Sequence, residues 1–593
     1  MALTPSQKAA VYYDKNLILF AGPGSGKTST SVAKAERILS APDARLGMVT
    51  FTTAAAGEMQ HRMEVVFKNN GRPFPKHSLI CGTFNSLTLR HFQKYAKVKE
   101  KLLAPPARSA MINSMLAAMP REEKNETILA LEKYQGALDP SKIVLSSAHA
   151  KFIDEYLGKM KAARATDLAT IMRECTRQMG AGQIPLLQVT HLLGDEMQDA
   201  DEVQLEFMLH HSRAGVITTL VADDDQTIYE WRSALGYAGL QRFALEANAK
   251  TITLAENFRS RDEIVTHAKK LIAYNDPDRI EKDQLSVRGP GGALVVVASS
   301  HLEGECDLVA KAIADHRKEG ETVAILARSN RSLDAMEEGL SIYGIHYRRD
   351  GPSIWDSTEI STFVSLLRAL ISSAHADLLP VLMLLELDAV TRRQLERAIG
   401  GHCGEFLDGL MPEVDSATPL DLAELGKFTK DTTNWRKRLR KGEINLTLPN
   451  IKDGVKDMIR AHANESSDGS SKMRRINFLL DTALNVLCNM KGSLSQRLNI
   501  VSRMQAKTPE ADAVRLMTMH SSKGLEFDTV FLINAKRPDD GSTLMKDHPE
   551  RRLFYVAMTR AKERFAATYS DTPVKFIREA GLTVSQSLSD LFA

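Results

Sequence analysis

The residues richest in chemistry stand near the start of the chain, in the run LILFAGPGSGKTST. Successive backbone N–H groups from Gly22 to Thr28 can wrap a phosphate only where side chains stay small, hence Gly22, Gly24, Ser25 and Gly26. Lys27 would reach β- and γ-phosphates, and the Thr28 hydroxyl would sit on Mg²⁺. The nucleotide-binding set runs through Ala21, Gly22, Pro23, Gly24, Ser25, Gly26, Lys27, Thr28 and Ser29, with Ala21 where the strict pattern has glycine. A bound metal needs an acid at the end of a neighbouring strand, and VTHLLGDEMQDADEVQ supplies Asp195 and Glu196. Asp195 would coordinate the metal, usually through water, while Glu196 would orient and deprotonate an attacking water. Together these residues predict an enzyme that hydrolyses a nucleoside triphosphate. Cations against the transferring phosphoryl group contribute roughly 10³–10⁵ in rate, and Arg259 and Arg560 are the candidates.

A second stretch, LVADDDQTIYEWRSA, raises a different question. Three consecutive aspartates repel a polyanion, whereas Tyr229, Trp231 and the following arginine suit the face of a nucleic-acid base. The individual jobs of Asp223, Asp224 and Asp225 stay open among a metal shell, turn-forming hydrogen bonds and pairing with a finger.

These residues need strands and helices to hold them. Apolar runs bounded by turns recur as NLILFAG, LGMVTFT, THLLGD and GVITTLVAD, then as ALVVVAS, VAILARS and TVFLINA. Alternation with amphipathic stretches predicts parallel sheets covered by helices, an α/β fold. The two sets of strands are joined through SVRGPGG, and each is interrupted by a mostly helical region. The expected organisation is one α/β domain from residues 1–95 and 186–280 with a helical insertion at 96–185. A second comprises residues 281–372 and 506–593, with an insertion at 373–505.

At 593 residues the chain exceeds a single core. Its formal charge of +3, from 77 basic against 74 acidic residues, identifies no partner. Five scattered cysteines without a C-x-x-C pair argue against structural zinc, an iron–sulfur cluster and a disulfide framework, and fit a reducing cytosol. No apolar signal core opens the chain, and no run of about 18 apolar residues appears, so a soluble, cytoplasmic protein without membrane contact is expected.

With these motifs in view, the chain resembles superfamily 1 helicases of the UvrD/Rep/PcrA type, in family order along nearly its whole length. LTPSQKAAV, AGPGSGKT, VTFTTAAAGEMQHRM, GTFNSL, GDEMQDAD, DDDQTIYEWRSA, ENFRS, VRLMTMHSSKGLEFDTVFL and ERRLFYVAMTRAKERF carry the resemblance. It implies two RecA-like domains (1A and 2A) with inserted 1B and 2B subdomains, moving 3′→5′ along one strand with ATP and Mg²⁺. Gln7 would read adenine, Phe258 would stack on it and Glu526 would hold the ribose. Gln226 would sense the γ-phosphate, and Arg259 and Arg560 would be the fingers from the two domains. Phe51, Thr52, Phe84, Tyr229, Trp231 and His520 would contact single-stranded DNA. The implied partners are single-stranded DNA and single/double-strand junctions, with a nuclease or a replication or repair factor as protein partner.

The sequence departs from the family at Thr53-Ala54-Ala55-Ala56, Asn85, Met197 and Ala222, none of them in the hydrolytic set. A helicase–nuclease of the RecB/AddA kind is disfavoured, because only about 30 residues follow Arg560. An ATP-dependent switch or remodelling translocase without intrinsic unwinding is the alternative. The basic run NWRKRLRKGE could lie on duplex phosphates or be a solvated helix face, and Trp355 reads as packing.

Overall fold

A computed structural model describes residues 3–96, 100–117, 119–229, 233–462, 471–505, 513–536 and 547–593. They group into two compact units. The first draws on Met1–Gly292, Asp539–Glu563 and Phe576–Leu582, and the second on Ala293–Pro538, Arg564–Lys575 and Thr583–Ala593.

In the first unit, strands β1 (Leu17–Ala21), β2 (Leu46–Thr50), β3 (Leu79–Thr83), β6 (His191–Gly194), β7 (Ile217–Ala222) and β8 (Lys250–Leu254) form one sheet. Between β3 and β6, the short strands β4 (Lys101–Leu102) and β5 (Ala165–Thr166) pair with each other. The large sheet is parallel throughout, in the order β3-β2-β6-β7-β1-β8. Its two faces show why β1 is apolar at every position. Leu17, Leu19 and Ala21 pack into a core beneath the helices Lys27–Ile38 and Thr53–Asn69, while Ile18 and Phe20 join the core on the opposite side. Successive side chains point to opposite faces, so a strand covered on both sides reads as an unbroken apolar run.

The region between β3 and β6 is helical, as its composition predicts. Ile112, Leu116, Leu131, Phe152, Ile153, Tyr156 and Met160 form a small separate core there. The helix Leu168–Gly180 behaves differently, delivering Ile171, Met172, Cys175 and Met179 to the core of the large sheet.

A two-stranded parallel pair, β9 (Glu256–Asn257) and β10 (Leu285–Ser286), follows β8 in the first unit. The second unit holds β11 (Ala293–Ser299), β12 (Val323–Ala327), β13 (Tyr347–Arg349), β14 (Val514–Thr518), β15 (Phe527–Leu532) and the main part of β16 (Ala561–Ser570). These strands are again parallel, ordered β11-β16-β15-β12-β14-β13. One hydrophobic core runs without interruption from Val295 and Ile325 in this sheet through Phe363 and Leu367 to Leu425, Ile451, Leu480 and Val501 in the helical region. Trp355 packs into that core and donates Nε1–H to the Tyr347 hydroxyl at 2.8 Å. Both sheets therefore match the expected α/β class of two RecA-like parallel sheets with helical additions. Among the described residues, no helix is long and apolar enough to cross a membrane.

Candidate nucleotide and nucleic-acid site

Three adjacent strands of the first sheet, β6, β7 and β1, end side by side and deliver the motifs. The crevice beyond the carboxyl ends of parallel strands is where such sheets bind ligands. After β1, the loop turns through Gly24 and Gly26 in left-handed conformations (φ +71° and +81°) into the helix Lys27–Ile38. Side chains rarely adopt that region, and at Gly24 space forbids one too: a Cβ would fall 2.5 Å from Arg259 Cβ. Ser25 Oγ donates to Gly22 O at 2.7 Å, and Gln7 Nε2 donates to Ser25 O at 3.1 Å. Gln7 is also the third residue of a capping box, accepting at Oε1 from Thr4 N at 3.1 Å. The ENFRS segment is fastened to the same loop: Asn257 Nδ2 donates to Pro23 O at 2.9 Å and Phe258 N to Gly24 O at 2.8 Å.

Lys27, the first residue of the helix, places Nζ 3.3 Å from Glu196 Oε1. Glu196 follows β6 and Asp195 in a left-handed conformation (φ 55°), a strain of order 1 kcal/mol or more for a non-glycine residue. That backbone turns its carboxylate away from the strand and toward Lys27. Gln198 Nε2 donates to Glu196 Oε2 at 2.5 Å, and its Oε1 accepts from Asp223 N at 2.9 Å. Gln198 thus ties the end of β6 to the end of β7. From there Gln226 Nε2 donates to Asp223 Oδ2 at 2.5 Å, and Arg560 Nη2 donates to Gln226 Oε1 at 2.9 Å. Lys27, Glu196, Gln198, Asp223, Gln226 and Arg560 make one connected polar chain. Of these, Gln198, two residues beyond Glu196, was given no role from sequence, and Asp223 was left open among several.

Arg560 is fully buried, and its Nε–H donates to Val556 O at 2.9 Å. Burial, with Arg259 beside it, pulls its pKa down to about 9, while Glu196, Tyr555 and Asp223 work the other way. It remains a cation at neutral pH. Arg259 Nη1 donates to Thr559 O at 3.1 Å. Both candidate fingers therefore lie beside the loops that carry the candidate phosphate-binding residues.

The aspartate run has an unforeseen partner. Asp223, Asp224 and Asp225 are buried, and Lys282 Nζ lies 3.2, 2.5 and 2.7 Å from their carboxylate oxygens. Arg279 adds a bidentate contact to Asp225 at 2.7 and 2.9 Å, and Ile280 N donates to Asp224 Oδ2 at 2.7 Å. The three carboxylates lie close enough together to hold a metal ion, but the lysine ammonium supplies the cation. Burial pushes the Asp224 carboxyl up despite Lys282. Burial acts on Asp225 too, but Lys282 and Arg279 outweigh it and hold that carboxyl below its usual range. The lysine itself, though buried, is held above its ordinary value by the three acids. Nothing in RIEKD announces this pairing, because it joins residues more than 50 positions apart and follows no periodicity.

The UvrD/REP helicase N-terminal domain family matches residues 3–243, and the UvrD-like helicase C-terminal domain family matches residues 252–401 and 421–572. The chain belongs to the UvrD-like helicase family. DNA helicase II of Escherichia coli is 25% identical over 100% of this chain and 87% of its own length. ATP-dependent DNA helicase UvrD1 of Mycobacterium tuberculosis is 26% identical over 95% of this chain and 81% of its own. ATP-dependent DNA helicase Rep of Buchnera aphidicola is 26% identical over 96% and 95%.

The residues that the family resemblance assigns to the DNA strand are less uniform in setting. Phe51 follows β2 and is half-buried, edge-on to Phe84 at 5.6 Å between ring centroids. Phe84 is only 2% exposed and meets Phe207 edge-on at 5.9 Å, the environment of a core residue. Thr52 caps the helix Thr53–Asn69, accepting from Ala55 N at 3.1 Å. Tyr229 is half-buried just beyond the aspartate loop, while Trp231 lies outside the described residues. In the second unit, His520 is half-buried in the turn after β14, and Glu526 is exposed immediately before β15.

In the run NWRKRLRKGE of the second unit, Arg436 and Arg440 bind Asp408 at 3.0 and 2.8 Å, and Arg438 binds Glu443 at 3.0 Å. Trp435 is buried against Gly454, where a Cβ would fall 2.7 Å from its ring. The helix Pro419–Arg440 thus spends its arginines and its tryptophan on its neighbours, leaving Lys437 and Lys441 exposed.

Proposed function

We propose that the chain is an ATP-dependent translocase on single-stranded DNA that moves 3′→5′ and unwinds duplexes at single/double-strand junctions. The observation that carries this reading is the continuous chain from Lys27 through Glu196, Gln198, Asp223 and Gln226 to Arg560. It links the phosphate-binding lysine, the general base, the sensor and a finger, so any shift at one is felt at the next. The left-handed glycines and the helix N-terminus fit a phosphate chain, and Thr28 and Asp195 offer the hard oxygen donors suited to Mg²⁺. The metal, when bound, neutralises charge on the β- and γ-phosphates. Lys27 leaves Glu196 for the phosphates, freeing the carboxylate to orient water and take its proton. Gln226 and Arg560 then follow the presence or loss of the γ-phosphate.

Grip on DNA would be relayed through the short connection from Gln226 to Tyr229 and Trp231, whose rings suit stacking on bases of any sequence. We assign residues 1–95 and 186–280 to motor domain 1A and 281–372 and 506–593 to 2A. Residues 96–185 and 373–505 are then the insertions 1B and 2B. The free cysteines, among the described residues, suit action in a reducing cytoplasm.

Tailed duplexes with a strand-separation readout test the reading. Unwinding of the 3′-tailed substrate with ATP, and not of the 5′-tailed one, is the expected result. Strand-stimulated ATPase without unwinding on either tail would assign the chain to remodelling of protein on DNA, alone or with a separate nuclease. Preference for the 5′ tail would overturn the polarity.

A further inference from the structure

The segment that carries Lys282 reaches the phosphate loop as well. At its start, Arg279, Ile280 and Lys282 are fastened to the aspartate loop. At its end, Leu285 N donates to Ala255 O at 2.9 Å, β10 pairs with β9, and Val287 N donates to Asn257 O at 2.8 Å. Gln284 stands between these two anchors, so its backbone has little freedom to withdraw. Its side chain lies directly on Gly22, the first glycine of the phosphate loop. A Cβ at Gly22 would fall 1.3 Å from Gln284 Nε2 and 2.5 Å from its Cδ.

Gln284 is 6% exposed, and its Nε2 is a buried donor with no hydrogen-bond partner among the described residues. Leaving such a donor unmade costs more than a satisfied one contributes, and an apolar side chain of the same length would fill the space without that cost. A glutamine at this place is therefore explained by an acceptor that arrives. The phosphate chain of a nucleoside triphosphate offers only acceptors, and a hydrogen bond to a charged group is among the stronger kinds. We propose that Gln284 is a further nucleotide-contacting residue, donating Nε2–H to an oxygen of the phosphate chain cradled by Gly22–Thr28. This rests on the reading of the loop as an ATP site. It also gives Gly22 a second reason to be glycine: the approach of Gln284, in addition to that of the phosphates.

The competing role is a stopper, in which the amide merely fills the mouth of the loop and must be displaced by nucleotide. The two roles predict opposite signs. In the full chain, titration calorimetry with the β,γ-imido analogue of ATP and Mg²⁺ compares the unsubstituted protein with Gln284→Met, which keeps the length and removes the donor. The expected result is affinity about tenfold weaker, with the melting temperature of the nucleotide-free protein unchanged or raised because an unmade donor has gone. Gln284→Ala serves as the second variant should the methionine fail to pack, with the same loss of affinity expected. Affinity unchanged or tighter in the folded variants would overturn the proposal in favour of a filler or stopper. A folded, unsubstituted chain that binds no analogue would overturn the ATP-site reading itself, and the proposal with it.

Discussion

Two acidic clusters end neighbouring strands of the first sheet, and their sequences, GDEMQD after β6 and ADDDQ after β7, look alike. Their environments are opposite. Glu196 remains 30% exposed at its side chain and pairs with Lys27 of the candidate phosphate loop. The aspartate run is sealed from solvent around Lys282, with Arg279 behind Asp225. A pair that keeps some contact with solvent costs less to break than a sealed one, so its members can change partners during a reaction. A buried cluster cannot give up its cation without stranding charge, so it acts as a fixed mount. The contrast teaches that the carboxylates best placed for chemistry are those whose partner is itself due to move.

The comparison is broken most directly at its reactive side. Lys27→Ala or Glu196→Gln should abolish DNA-stimulated turnover, a loss of about 10²–10⁴-fold for the base alone. Melting temperature should fall less than on breaking the sealed aspartate cluster, because this pair keeps some exposure to solvent. Steady-state ATPase assays beside thermal unfolding check both halves, and substantial retained turnover would remove Glu196 from its role. Lys282→Met should show the reverse balance. It leaves three buried aspartates, two of them without a cation, and removing one partner of a buried ion pair destabilises by about 3–5 kcal/mol. Denaturant unfolding measures this, and an unchanged midpoint would mean that the cluster is not the fixed mount described above.

Asp225→Asn sharpens the distinction within the cluster. Lys282 keeps Asp223 and Asp224, while Arg279 loses a charged bidentate partner, for a cost of about 1.5–3 kcal/mol. The midpoint should therefore fall less for this variant than for Lys282→Met. The mildest effect is expected beyond the aspartates: Trp231→Ala should weaken single-strand binding by about 1–3 kcal/mol and leave basal hydrolysis nearly intact. Fluorescence anisotropy with a labelled oligonucleotide reads the first and a DNA-free ATPase assay the second. Collapse of basal ATPase at unchanged DNA affinity would place Trp231 with the mount instead of the strand.

Much of the scaffold was legible because local patterns encode it. LILFA, LGMVT and ITTLVA are apolar at nearly every position since parallel strands are covered on both faces, and each forms a strand. The strand Ala561–Ser570 escaped that reading because AKERFAATYS begins with charged residues. Those residues bind other chain segments: Arg564 Nη1 donates to Glu321 Oε1 at 3.1 Å within the second unit. The helical insertions were visible as helices, but not how each is packed. The first keeps a small core of its own at Ile112–Met160 positions such as Leu131 and Tyr156, whereas the second shares one core with its sheet. Periodicity marks which face is apolar; it carries no information about which surface will cover it.

The sequence by itself picked out the candidate phosphate loop, its lysine, the acid pair and the two candidate arginines. Backbone cradling and charge compensation demand particular residue types at short spacing, and short spacing survives in a linear text. Only the tertiary structure decided what the three aspartates do, that Phe84 sits in the core, and that Gln284 lies against Gly22. Each depends on the burial of a group and on a partner distant in sequence. The cost of burying a charge or an amide is set by everything that surrounds it.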